Sequence, residues 1–514
     1  MSQSKKAMKS ILLIIIISLG GKLLGLIREM LIAAKYGAGA QTDAFFIALT
    51  AVTLATALLM QAINTTMIPI LSEIETKDGR KGKVKLTNNI FNIVFLLSFI
   101  IVIFGWILSP YIIKVLALGF EGEQYKLTVL LTRIGFTSII FAGIVGVFRG
   151  YLQSEQKFTE TSISEWAINI TYIIFLLFMS KMFGIKGLMV ASVIAVGAQL
   201  IVQNFGLKKT GFRYKFTIDL KDKYVRRIFY LISPVLISVA VSHVNKIADK
   251  TLASTLINGS ISALDYSSRL NLMVLGVFIT AITTVIFPIL SKEANKINYH
   301  GLKKIIRHGI NSILLITIPA TVVMVVLAGP IVSIIFERGA FDSNATDMTA
   351  GALVFYSLGL SGMATRLFLV KVFYSLQDTR TPMTNSFIVM LLNIFLNLIL
   401  INSMQHEGIA FATSISVTVI TFLLLFSLTK KIGSLGIGNL ISCIMKCIIA
   451  ASVMGIVIHF LYYLLIDTFL NMYSMNILAM IISLIVGSVI YLIIIYFLKV
   501  EELKWLLSLI KKER

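Results

Sequence analysis

Acidic and reactive side chains are scarce in this chain. Of 514 residues only 24 are Asp or Glu, five are His and two are Cys, and each shortage removes a class of function. Cys443 and Cys447 lie one helical turn apart in an apolar segment, where neither a disulfide framework nor a zinc site can be built from them, so packing is their expected role. The histidines His243, His300, His308, His406 and His459 are too dispersed for metal-ligand spacing. Neither a Walker loop nor a G-x-S-x-G elbow occurs. An enzyme is therefore not expected, and an ATP-driven pump would need a nucleotide-binding partner. Any transport must draw on an ion gradient, the membrane potential or the substrate's own gradient.

Charge of both signs is also low, at 14% of residues against 57% hydrophobic, and the mean hydropathy of +0.91 is too high for a water-soluble chain of this length. A helix needs about 20 apolar residues to cross about 30 Å of hydrocarbon, and such runs recur along the whole sequence. The expected fold is an all-α polytopic membrane protein of about fourteen spans, near 9–34, 43–73, 87–108, 127–152, 161–183, 185–205, 227–256, 261–291, 305–328, 346–376, 384–403, 408–429, 440–465 and 475–498. The first run continues through Lys22, Arg28 and Glu29 without a clear cleavage site, so it reads as a retained span and not as a signal peptide.

The net charge of +22 would suit nucleic acid, but its distribution argues against that partner. Basic residues collect in alternate loops: the N-terminus, Lys77 to Lys85, Lys208 to Arg227, Lys292 to Arg307, Lys430 with Lys431, and the tail ending Lys511, Lys512, Arg514. This is the positive-inside pattern. It implies that those loops and both termini are cytoplasmic, hence an even number of spans. The loop Lys208 to Arg227 mixes its cations with Phe212, Tyr214, Phe216 and Tyr224, which suits an amphipathic linker on an anionic leaflet.

An internal repeat is visible at offsets of about 219 to 224 residues. Pro69-Ile70-Leu71-Ser72 returns as Pro288-Ile289-Leu290-Ser291, Pro110 as Pro330, and Gly184-Ile185 as Gly408-Ile409. The expected organisation is a six-helix lobe over 1–207, the linker 208–226, a second six-helix lobe over 227–431, and two extra helices with a basic tail over 432–514. Six spans per repeat give both lobes the same orientation, the parallel arrangement of transporters that rock two bundles about a central site.

An ionisable side chain at mid-bilayer costs about 2.5–3.5 kcal/mol, so those inside spans are site candidates. Lys22 and Glu29 are seven residues apart on the first span and share a face, beside Arg28 and the small residues Gly20, Gly21 and Gly25. Joined by Arg269 in span eight, these cations would suit a diphosphate, because guanidinium forks bind phosphate oxygens bidentately. Span two begins at Asp43, span seven carries His243, Lys246, Asp249 and Lys250, and span ten carries Arg366 and Lys371. Asn393 and Asn397, one turn apart, could with Asp249 and Thr413 offer oxygen ligands to a small cation. Interhelical hydrogen bonding is the alternative use of such residues.

Several stretches together resemble one family. Gly21-Lys22-Leu23-Leu24-Gly25-Leu26-Ile27-Arg28-Glu29, Tyr36-Gly37-Ala38-Gly39 and Thr42-Asp43-Ala44-Phe45-Phe46 look like the N-terminal signature of the MurJ (MviN) lipid II flippases. Ser268-Arg269-Leu270, Phe336-Glu337-Arg338-Gly339-Ala340-Phe341 and Phe373 through Pro382 agree in order. The resemblance implies the fourteen-helix fold of the MOP exporter superfamily. It implies movement of undecaprenyl-diphosphate-linked disaccharide-pentapeptide, lipid II, from the cytoplasmic to the outer leaflet of the bacterial inner membrane by alternating access.

By the same resemblance, Arg28 and Arg269 line the substrate cavity and Glu29 and Asp43 match the family's acidic positions, while Lys22 joins the cavity candidates from its own place in span one; Asp249, Asn393, Asn397 and Thr413 match a sodium site known in some members. No other cofactor is implied. The partners implied are lipid II or a related polyprenyl-diphosphate glycolipid, membrane lipids, and cell-wall synthesis and division proteins. The chain departs from the family in having Leu54-Ala55-Thr56-Ala57-Leu58 where many members carry an arginine pair, Gly21-Lys22 for serine-arginine, and Leu272 for an acidic residue. A flippase for another polyprenyl-linked oligosaccharide, and a non-transporting scaffold for wall-synthesis enzymes, remain the alternative readings.

Overall fold

The computed structural model describes residues 3–294, 299–468, 473–500 and 502. Among them the chain forms fifteen helices and no strand: α1 Gln3–Tyr36, α2 Ala40–Leu116, α3 Gly122–Phe136, α4 Ser138–Ser154, α5 Phe158–Phe178, α6 Ser180–Lys209, α7 Lys223–Ala253, α8 Ser260–Ala294, α9 His300–Val326, α10 Ala328–Phe336, α11 Ser343–Leu358, α12 Leu360–Ser375, α13 Arg380–Ile432, α14 Ile437–Thr468 and α15 Tyr473–Phe497. The expected spans fall on these helices, two each on α2 and α13, one each on the pairs α3–α4 and α11–α12, and one on each of the others except α10. By length and composition, eight described helices could cross a membrane, or nine with the bent pair α11 and α12.

Two of these helices are too long to be single rods. At about 1.5 Å per residue, the 77 residues of α2 would reach about 115 Å, several bilayer thicknesses. The chain instead turns back at Gly79, whose φ of 65° is one that a glycine adopts without strain. The 53 residues of α13 break likewise at Gln405. Beyond that break Gly408 lies so close to Leu400 that a side chain there would strike its carbonyl.

The chain divides into two compact units, Met1–Ser262 with Arg338–Phe341, and Ala263–Glu337 with Asp342–Arg514. The first is built on both arms of α2, with α4, the end of α6 and the start of α7 closing over Ile63, Met67, Ile90, Tyr151 and Val225. Thus α7, which the repeat register places in the second group of six, packs against α2. In the second unit α14 packs on α9 and α15 through Cys443, Cys447, Ala450, Met454 and Ile458. Both cysteines are free thiols buried in this cluster. On the second arm of α2, Phe95, Leu96, Phe99, Ile100, Ile103 and Phe104 are all exposed, an apolar stripe far larger than a water-facing surface carries. Lipid is the solvent that suits it.

Where α2 turns back, the basic loop is locked by charge pairs. Lys83 is fully buried, with Nζ 2.7 Å from Glu75 and 2.6 Å from Glu155, above the Tyr151 ring. Arg227 and Lys77 meet Glu73, each at 2.7 Å. Removing one member of a buried pair typically costs about 3–5 kcal/mol, because the other charge stays desolvated. We expect Lys83→Ala to lower the thermal midpoint of the purified protein strongly, whereas Lys77→Ala, at the surface, should leave it within error. Equal effects of the two substitutions would refute this ranking.

Candidate functional site

The polar face of α1 is held by α5. Trp166, Asn169 and Tyr172 form a stripe at three-residue spacing on α5, and each reaches α1. Trp166 Nε1 donates to Ile17 O at 2.8 Å, Asn169 Nδ2 donates to Gly21 O at 3.1 Å, and the Tyr172 ring lies 5.1 Å from the Arg28 guanidinium carbon. Gly20 and Gly21 face the Trp166 indole, and Gly25 faces Asn169. The small residues of span one therefore admit a neighbouring helix. This stripe was missed in the sequence, although its i, i+3, i+6 spacing on an apolar span was a readable signal.

Arg28 is bidentate on one oxygen of its neighbour, with Nη2 at 2.6 Å and Nε at 3.0 Å from Glu29 Oε1. Glu29 is buried and Arg28 partly so. Stacked on Tyr172 and braced by Glu29, the guanidinium is pre-positioned, which lowers the entropy lost when it grips a phosphate. Lys22 is half-buried on the same helix. In the second unit, Arg269 is half-buried on α8, beside Asn271, whose Nδ2 donates to Tyr356 O at 2.8 Å.

Asp43 has a different setting. It is buried, with Oδ2 accepting from Gly259 N at 2.6 Å and Oδ1 accepting from Ser262 N at 2.8 Å and Ser262 Oγ at 2.6 Å. The carboxylate thus caps the N-terminus of α8 from 219 residues away, satisfying amides that the helix cannot and meeting the positive end of its dipole.

Of the residues expected for a sodium ion, Asp249 is half-buried on α7 in the first unit. Asn393 and Asn397 are buried on the first arm of α13, with Asn397 Nδ2 donating to Asn393 Oδ1 at 3.4 Å. Thr413 is on the second arm. The contact of Gly408 with Leu400 and the 3.2 Å hydrogen bond of Asn385 to Ser427 fix the hairpin register and put Thr413 level with Asn397. Asn397 and Thr413 therefore stand at one level of this hairpin with Asn393 one turn away, and side-chain oxygens of this kind are the donors a hard cation takes.

The motif segment after α12 is a cap. Asp378 accepts from Thr381 N at 3.0 Å, from Thr381 Oγ1 at 2.8 Å and from Lys431 Nζ at 2.6 Å. The lysine contact first, then the backbone amide, hold its carboxyl down at about 2 from the usual 3.8. A carboxyl depressed in the folded state stabilises the fold above its unfolded value and loses that contribution as pH falls through the folded one. The stability difference between the wild type and Asp378→Asn should therefore be full at neutral pH and vanish between about pH 4 and pH 2. A difference unchanged across that window in thermal melts would contradict this.

Comparison with known proteins agrees with this architecture. The family model described as lipid II flippase MurJ matches residues 32–497. A protein of Rickettsia prowazekii named as a probable lipid II flippase MurJ is 28% identical over 486 residues, 93% of this chain and 95% of its own length. A solved structure titled lipid II flippase MurJ in an inward closed conformation superposes with a TM-score of 0.78 at 27% identity, covering 94% of this chain and 98% of that one. An inward-facing multidrug MATE transporter of the MOP superfamily shares the fold, with a TM-score of 0.67 at 14% identity over 82% of this chain and 98% of its own.

Proposed function

We infer that this chain, which belongs to the lipid II flippase MurJ family, carries lipid II from the cytoplasmic to the outer leaflet of the membrane for cell-wall synthesis. The observation that carries the reading is the family match over residues 32–497, supported by the superposition over 94% of the chain on a MurJ structure. The chain is a multi-pass membrane protein, and a flippase changes the position of its substrate without altering its bonds.

For the steps of transport, the reading is alternating access. Arg28, braced by Glu29 and Tyr172, is one cationic group proposed to take the diphosphate, and Arg269 is a second. Lys22 is a further cation for the headgroup. Asp43 holds the α8 N-terminus, and a role toward the headgroup is proposed for it beside that structural one. Each negative charge carried outward gains about 2.3 kcal/mol per 100 mV of a membrane potential that is negative inside. For a coupling ion we propose Na+, for which the α13 oxygens of Asn393, Asn397 and Thr413 are suited donors. The basic loops favour an inner membrane with both termini in the cytoplasm.

The test is complementation in cells depleted of their own lipid II flippase, with lipid II on the outer leaflet measured directly. The wild-type chain should restore exposure, and Arg28→Ala, at equal membrane level, should abolish it. A correctly inserted wild-type chain that never restores exposure would overturn lipid II as cargo and favour another polyprenyl-linked glycan.

A further inference from the structure

The loop between α6 and α7 is pinned in a way that gives its free side chains a defined place. Three asparagines on the second arm of α2 hold its backbone. Asn88 Nδ2 donates to Arg213 O at 3.1 Å, Asn92 Nδ2 donates to Thr217 O at 3.0 Å, and Asn89 donates to Asp219 O and accepts from Asp219 N, both at 2.8 Å. Tyr214 adds a 2.8 Å hydrogen bond to Asn92 Oδ1, and Phe212 packs on Tyr151 and Phe148. The partners run from Asn88 up to Asn92 and back to Asn89, so the loop climbs α2 by about one turn, reverses near Thr217 and descends.

What this loop leaves outward is amphipathic. Around the reversal Phe216, Ile218 and Leu220 are 70%, 42% and 61% exposed, although none of them is needed to hold the loop. Arg213 and Lys215 on the rising leg and Lys221 on the descending leg are exposed cations. The exposed apolar stripe of α2 begins at Phe95, less than one turn beyond Asn92. The tip of the loop therefore stands at the level where α2 meets acyl chains, and its cations stand one turn nearer the cytoplasm, at headgroup level.

We propose that residues 213–221 form a binding loop for anionic phospholipids of the cytoplasmic leaflet, with Phe216 and Ile218 entering the acyl region, Leu220 at the boundary below them, and Arg213, Lys215 and Lys221 meeting headgroup phosphates. Apolar insertion with two or more flanking cations is the combination that holds a surface element on an acidic membrane. The asparagine ladder makes it a fixed part of the fold, so the loop selects lipid at one place on the α2 surface. This site is independent of the cargo inferred above.

The experiment places the full-length Phe216→Trp protein in nanodiscs of mixed phosphatidylglycerol and phosphatidylcholine, with one lipid or the other brominated. The signal of the three native tryptophans is subtracted using the parent protein. The introduced tryptophan should be quenched by both lipids and more by brominated phosphatidylglycerol, with a preference of several-fold. Each cation is worth up to about fivefold near an acidic surface, so Lys215→Gln with Lys221→Gln should bring the preference toward one while quenching persists. Emission from the introduced tryptophan that is typical of water and unquenched by either lipid would overturn the proposal, as would cross-linking of position 216 to a second copy. Equal quenching by the two lipids would overturn the recognition of anionic headgroups. Phe216 is exposed, so the substitution removes no core contact, and an unchanged thermal midpoint checks that the variant is folded.

Discussion

Replacing Asp43 by Ala should cost this protein about 3–5 kcal/mol, among the largest effects of any single substitution in it. The estimate follows from what the carboxylate holds. Two backbone amides and a hydroxyl donate to it in a buried setting, and each donor left without a partner there costs about 1–3 kcal/mol. The lost charge at the start of α8 adds about 0.3–2 kcal/mol. Asparagine should rescue little. Both oxygens accept from backbone N–H groups, so either orientation of an amide turns its NH2 toward a donor. The readout is the thermal midpoint of purified protein in detergent, together with the amount of intact protein in the membrane. A midpoint for Asp43→Ala within a degree or two of wild type would remove Asp43 from the structural role. A folded Asp43→Asn without transport would assign Asp43 a part in the substrate site as well.

The Asp43 cap also shows where legibility in the sequence ended. The apolar runs gave the helices, because the cost of exposing backbone and charge to lipid acts on each segment by itself. Window by window, the spans on α1, α5 and α14 needed no knowledge of their neighbours. The repeat was legible in part. Gly184 does stand at a break, with φ of 54°, but in the second half the chain breaks at Gln405 while Gly408 serves close packing against Leu400. The cation of span one was legible as an oddity in an apolar helix, whereas its clamp was not. Glu29 could be guessed, since it is adjacent, but Tyr172 lies 144 residues from Arg28, and the partners of Asp43 lie 216 and 219 residues from it. Hydropathy is a property of one residue and its window, and a hydrogen bond belongs to two residues that only the tertiary fold introduces. The linker makes the same point. Its cations and aromatics suggested a surface element, yet nothing in 208–226 itself announces that Asn88, Asn89 and Asn92 fix its backbone.

Two of the motif stretches prove to be halves of one contact, and a double-mutant cycle should expose it. Gly37, after α1, has φ of 65° and its missing Cβ would fall on Ala340 O. Gly339 has φ of 63° and its missing Cβ would fall on Ala34 O, the atom that accepts from Ala340 N at 2.9 Å. Each glycine is needed twice over, for a backbone conformation costing a side-chain-bearing residue about 1–2 kcal/mol and for an approach in which the obstructing atom is backbone and cannot turn aside. Gly37→Ala and Gly339→Ala should each destabilise by about 2–4 kcal/mol, from the strain, the overlap and the lost hydrogen bond together. The two losses should not add. Once the first alanine has forced the turns apart, the second has no close approach left to spoil, so the double variant should lie well short of the sum, with a coupling energy of about 1–3 kcal/mol. Strict additivity in the thermal or denaturant midpoints would mean that each glycine serves its own turn alone and that the segment Arg338–Phe341 is not held by α1.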